Sequence, residues 1–184
     1  MFNNTDFLAN ALLQSRIITI TEEITAQVAT IVCASLFFLE SEDAINDITL
    51  IINSPGGEVY AGLSIYDTMQ LIKPDVATVC IGTAASVASM LLAAGARGKR
   101  HCTLNSTIVI HQLTGGVNGQ TSDLEVQTAS ILKLNDLTAN IYAKHCKKPR
   151  AIITRAIEIG RFMTAEMALN WGLIDSIIYN ANKL

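Results

Sequence analysis

The sequence predicts an α/β fold: a mostly parallel β-sheet covered by helices. Two patterns carry this expectation. Short apolar, β-branched runs alternate with segments of helical spacing, and those runs, ITLII at 48–52 above all, are apolar at successive positions, as in strands covered on both faces. The 184 residues contain no internal repeat or low-complexity tract, so a single domain over 1–184 is expected.

Taken in order, residues 1–6 read as frayed and 7–13 as a short apolar helix, together a short N-terminal segment over 1–13. Residues 16–21 alternate as a strand, 25–39 repeat apolar positions at helical spacing, and 48–52 form the next strand. Ser54-Pro55-Gly56-Gly57 punctuates it, 59–72 reads as a helix, and Lys73-Pro74-Asp75 ends that helix. A strand over 76–81, broken by Gly82, then enters a helix over 86–94. No residue from 76 to 96 is charged, long enough for a membrane span, but its change from β-branched to helical character favours a strand and a buried helix. After a basic turn come a strand at 107–111 and a glycine-rich stretch at 115–119 that should be extended or face a ligand. A long amphipathic helix at 121–146 is expected to project from a head made of 14–120 and 147–180. A short helix follows at 151–158, Thr164 caps a last helix ending at Trp171-Gly172, and 174–179 closes as a strand.

Composition narrows the function. Half of the residues are hydrophobic and only 16% are charged, against a typical charged share of about 25%. Such a chain is expected to bury surface against other subunits. With a net charge of −3 and no dense Lys/Arg run beyond Arg97, Lys99 and Arg100, nucleic acid is not an expected partner. The first positive charge is Arg16 and no secretory pattern is visible, so a cytoplasmic protein with no membrane association is expected. The four cysteines form no CxxC pair. His101-Cys102 and His145-Cys146 are poor chelates because adjacent side chains diverge, so no metal site is expected.

Three strand ends carry residues suited to acyl chemistry. Ser86, after Gly82-Thr83-Ala84-Ala85, would stand at the first turn of a helix, beside its uncapped N–H groups, with small neighbours including Ser89 leaving room for a polypeptide. Gly56 and Gly57 permit a turn that exposes backbone N–H donors to an oxyanion. His111 is placed to serve as a general base.

Read together, INSPGG at 52–57, SIYDTMQ at 64–70, IKPDV at 72–76, GTAAS at 82–86, IHQ at 110–112, GQTSD at 119–123 and GLIDSI at 172–177 resemble the ClpP family, the proteolytic subunits of ATP-dependent Clp proteases. The resemblance runs in order over 12–178. It implies a crotonase-like fold with a handle helix, two stacked seven-membered rings of self or paralogue enclosing a chamber, a Clp-type AAA+ unfoldase as partner and unfolded proteins as substrates. No cofactor is implied in this chain, ATP being used by the partner. By resemblance Ser86 is the nucleophile and His111 the base; Gly57 and Val87 supply oxyanion N–H groups and Gly56 shapes the turn.

The chain departs from the pattern at Gly160, where the resemblance calls for the triad aspartate, and at Ile159, where it calls for an arginine sensing ring assembly. Glu158 could replace the acid only if its segment is extended. Thr49, Ile51 and Leu71 stand where aromatic residues receive the ATPase, Leu113 replaces a proline, and an axial loop before residue 7 is expected to be short. Two rival expectations are a non-catalytic subunit of a mixed complex and an acyl-CoA enzyme of the crotonase type, the latter lacking a recognisable phosphate cradle.

Overall fold

The computed structural model describes residues 4–112 and 121–179. Among them seven helices and seven strands form a mixed α/β architecture around a mainly parallel sheet. In chain order the elements are α1 (Asn4–Gln14), β1 (Ile17–Ile20), α2 (Ala26–Glu42), β2 (Ile48–Ser54), α3 (Val59–Leu71), β3 (Val76–Ala85), α4 (Val87–Ala93), β4 (Arg100–Thr103), β5 (Thr107–Ile110), α5 (Thr121–Cys146), α6 (Arg150–Ile159), β6 (Arg161–Thr164), α7 (Ala165–Trp171) and β7 (Ser176–Ile178). Strands β1, β2, β3, β4 and β7 lie side by side in parallel, while β5 pairs with β3 and, antiparallel, with β6.

The parallel order follows from the alternation of strands and helices, since each crossover helix returns the chain to the same edge. Ile48, Leu50 and Ile52 of β2 are fully buried. All seven residues of α4 are buried too, packed against β3, α3 and α5. This explains the long uncharged run: a core strand enters a core helix, and no helix among the described residues is long and apolar enough to cross a membrane. Fully burying a Leu or Ile side chain stabilises by about 1.5–3 kcal/mol before the entropic cost of ordering it.

Local signals behave as the residues dictate. Thr25 Oγ1 accepts from the Val28 N–H at 3.3 Å and starts α2. Thr164 does the same for α7, which ends at Gly172 with a left-handed φ of 84°. Arg16 ties the end of α2 to the start of β2 by donating to the carbonyls of Leu39, Asp43, Asn46 and Asp47. A second pin is the buried pair of Arg100 with Asp175, 2.6 Å apart.

Four expectations are corrected. Residues 4–6 already belong to α1. Gly82 does not end its strand: β3 runs on to Ala85, changing partner from β4 at Thr78–Cys80 to β5 at Thr83–Ala85. The switch works because Gly82 adopts φ +97° and Asn53 Oδ1 accepts the Thr83 N–H at 3.1 Å, restoring the bond lost where the β2 register shifts. The basic turn is partly a strand, β4, whose polar residues pair with β7. Residues 161–164 form β6, an element whose four-residue length leaves little periodicity to read. The glycine-rich stretch at 115–119 and Leu113 lie outside the described residues.

Candidate active site

The sheet brings Ser86, the Gly56–Gly57 turn and His111 to one edge, at the C-terminal ends of β3, β2 and β5, where sites form in open α/β sheets. Ser86 is not in the first helical turn, as the sequence suggested, but at the cap before it, with φ 55° and ψ −129°. A non-glycine residue at positive φ costs about 1–3 kcal/mol and persists only where its surroundings over-determine it.

Those surroundings are explicit. The Ser86 N–H donates to Val109 O at 2.9 Å, tying the cap to β5. The Ser86 carbonyl accepts from Ser89 Oγ at 2.8 Å and from the Tyr142 hydroxyl at 3.1 Å, and those two hydroxyls lie 2.6 Å apart. Ser89 Oγ also reaches Val109 O at 2.8 Å. Burial pushes the Tyr142 phenol far above its ordinary pKa, so it stays a protonated donor. Meanwhile the Ser86 side chain makes no capping bond to its own helix. The backbone of Ser86 is clamped while its hydroxyl is not spent on α4.

Gly56 stands directly against this residue. A Cβ on Gly56 would lie 2.6 Å from Ala85 O and 2.8 Å from Ser86 Cβ, so only glycine fits. Its own N–H goes to Ser54 Oγ at 3.1 Å. Ile24 forms a parallel bridge opposite Gly57, donating to Gly56 O and accepting from the Glu58 N–H, both at 2.8 Å. In such a bridge the N–H of the bridged residue points the other way. The Gly57 N–H therefore faces the β3 side, where Ser86 and Val87 stand. Val87, the first residue of α4, brings the unpaired N–H and positive end of that helix.

His111 follows β5 and lines one small cavity with Ser86, Val87, Met90, Thr138, Tyr142 and Ile157. Its Nδ1 lies 2.7 Å from the carbonyl of Gln112. A carbonyl can only accept, so Nδ1 carries the proton and Nε2 of the neutral ring is left as the acceptor.

Position 160 is where the resemblance calls for a third member. Because Ile110 pairs with Arg161, Gly160 falls beside His111, and a Cβ on it would lie 3.9 Å from His111 Cβ with nothing nearer among the described residues. The space is open, but the backbone is not ready for another residue: φ is 72° and ψ 120°, a conformation kept for glycine. Glu158 is not a substitute. It sits exposed in the last turn of α6, so the extended geometry that its use required does not exist. Ile159 is exposed as well.

The sequence missed Tyr142 and gave Ser89 only the role of a small neighbour. Tyr142 lies 56 positions from Ser86 on α5, and a buried tyrosine in an amphipathic helix reads as ordinary core. The histidine–cysteine pairs hold no metal arrangement: Cys102 and Cys146 are buried, His101 Nδ1 meets Ser176 Oγ at 2.7 Å and His145 Nε2 meets the Tyr66 hydroxyl at 3.2 Å. Among the described residues no group of three His, Cys, Asp or Glu side chains is placed to hold a metal ion.

Compared with known protein families, the chain matches the one described as Clp protease over residues 3–181. The match takes in Ser86, the Gly56–Gly57 turn, His111 and Gly160 alike. Covering nearly all of the 184 residues, it makes the chain a member of the Clp protease family.

Proposed function

We propose that this chain is a Clp-type serine peptidase subunit, weakened by the loss of its triad acid, that works in a ring-shaped assembly with a complete paralogue. Ser86 Oγ attacks the peptide carbonyl and His111 Nε2 takes its proton, later returning it to the leaving amine. The Gly57 and Val87 N–H groups stabilise the tetrahedral oxyanion, with Gly56 keeping the turn close enough to do so. The observation that carries this reading is the strained Ser86 backbone, held by Ser89 and Tyr142 and facing Gly56.

The acid's two tasks are divided. A triad aspartate fixes the tautomer of its histidine and stabilises the imidazolium that forms. The Gln112 carbonyl performs the first task here, but as a neutral dipole it supplies much less of the second. Replacing the triad aspartate with asparagine costs about four orders of magnitude in a chymotrypsin-like enzyme. Low activity of this chain alone is the consequence.

Subunit association is supported by exposed apolar side chains, including Val126 and Leu132 on α5 and Phe162 on β6. Stacked seven-membered rings, an AAA+ unfoldase reached chiefly through the paralogue, unfolded protein substrates, the absence of a cofactor and a cytoplasmic location complete the proposal.

The test is labelling with a serine-directed fluorophosphonate, alone and mixed with a complete ClpP-type subunit, read by intact mass. Adduct on Ser86, absent in Ser86→Ala, is expected, slow in the chain alone. Failure of labelling in both samples of folded protein would overturn catalysis. Peptide hydrolysis by the chain alone at rates typical of an intact triad would overturn the role given to Gly160. A non-catalytic subunit is the second reading, favoured by the missing carboxylate, and it requires Ser86→Ala to leave the mixed complex fully active.

A further inference from the structure

At the opposite edge of the sheet, where α3, α4 and α5 end, lies a cavity of about 360 Å³. Five of the chain's 13 Lys and Arg residues line it: Lys73, Arg97, Arg100, Lys144 and Lys147. In a protein of net charge −3 this is a marked segregation of positive charge.

The cations are not fully explained by their neighbours. Arg100 is committed to Asp175, and the one carboxylate in the wall, Asp75, is held by Lys99 at 2.9 Å. Among the described residues Lys73, Arg97, Lys144 and Lys147 have no carboxylate within ion-pair distance. The helix ends that converge here carry about half a negative charge each, which draws cations and opposes an anion. Their nearest carbonyls are already occupied, however. Arg100 Nη1 donates to Ala93 O and His145 O, and Gln70 Nε2 donates to Ala94 O. Lys144 Nζ donates one bond to the Tyr66 hydroxyl at 3.5 Å, so the ammonium and guanidinium groups of Lys73, Arg97, Lys144 and Lys147 keep donors for something else.

We infer that this cavity binds a small molecule carrying two or more phosphate groups. Its volume falls in the range of small-ligand sites, about 300–1,000 Å³. Arg97 offers a planar fork and Lys73, Lys144 and Lys147 offer mobile point charges, the donor chemistry that phosphate oxygens take. Met69, Ile72 and Pro74 in the same wall provide apolar surface for the rest of the molecule. The site is distinct from the one at Ser86: it gathers around the loop entering β3, whereas Ser86 follows the end of that strand.

Calorimetric titration with inorganic pyrophosphate tests the assignment. The intact chain should bind at a single saturable site, and raising the salt concentration should weaken that binding. The double variant Arg97→Gln/Lys147→Gln changes only exposed side chains and should melt like the parent, yet bind pyrophosphate about tenfold more weakly or worse. Arg150→Gln, which removes an exposed cation outside the cavity, should bind as the parent does. The proposal is overturned if the parent shows no saturable binding, if the double variant binds normally, or if Arg150→Gln weakens binding equally. A hexaglutamate peptide that binds more tightly than pyrophosphate would overturn the phosphate assignment.

Discussion

The two halves of the candidate site are built to different standards. Around Ser86 the backbone is held at each group: the Ser89 and Tyr142 hydroxyls and the N–H groups of Ser89 and Met90 on its carbonyl, Val109 on its N–H, and a glycine at 56 pressed against its Cβ. Around His111, among the described residues, Nδ1 meets only the carbonyl of the next residue, and the position beside it is a glycine. Strain is stored where the serine stands, while His111 has looser surroundings. The difference teaches that one half of a site can stay rigid beside a loosely held one, because the Ser86 turn is also the junction of β3, β5 and α4.

The sharpest way to break this comparison is Gly56→Ala. The added methyl meets backbone at 2.6 Å and the Ser86 Cβ at 2.8 Å, and φ is +96°. Overpacking and strain together should cost about 3 kcal/mol, read by chemical denaturation, with loss of Ser86 labelling. A variant as stable and reactive as the parent would show that the turn is not rigid.

Next comes Gly160→Asp. There is room for the side chain, but the glycine backbone must be left or strained, so a loss of about 1–3 kcal/mol in stability is expected. If the backbone rearranges to aim the carboxylate at His111, labelling of Ser86 should accelerate at least about tenfold, as a charged partner replaces a dipole. A stability loss with no acceleration would place the defect in the backbone of the base half, beyond the missing side chain.

Tyr142→Phe is smaller. It removes one hydroxyl from the Ser86 carbonyl and from Ser89, with an expected cost of about 1–2 kcal/mol and slower labelling. An unchanged labelling rate would show that the serine is held without the Tyr142 hydroxyl.

The smallest effect is a pH control. Burial, then the nearby charges of Lys144 and Arg100, hold the His145 pKa down to about 4. The unfolded chain binds this proton below about pH 6.5 and the folded chain does not, so His145 costs stability as the pH falls from about 6.5 toward 4. A loss of labelling on the acid side can then come from the fold as well as from the site. His145→Gln should flatten the stability curve over that window, leaving any remaining acid limb to the site itself. A variant with the parent's stability slope would remove His145 as the cause.

Much of the site was legible because its parts are local. Gly82-Thr83-Ala84-Ala85-Ser86 and Ser54-Pro55-Gly56-Gly57 each announce a strand end in a few adjacent residues. Strands β4 and β6 were not, since four residues with mixed polarity give no usable period and their pairing partners are distant. The fate of Gly82 illustrates the limit: a glycine that locally reads as a break becomes a pivot because Asn53 supplies the missing bond.

By itself the sequence determined the α/β class, the alternation of strands and helices, the serine and glycine turns, and the glycine at position 160. These depend on periodicity, turn chemistry and residue identity, all carried within short stretches of chain. Only the tertiary structure decided that Ser86 is held at positive φ by Tyr142, that the Gln112 carbonyl sets the His111 tautomer, and that Glu158 is carried out of reach on a helix. It also decided that five scattered cations share one cavity. The hold of Tyr142 on Ser86 and the shared cavity are meetings of groups far apart in sequence. Packing creates such encounters by bringing distant segments to the same end of the sheet.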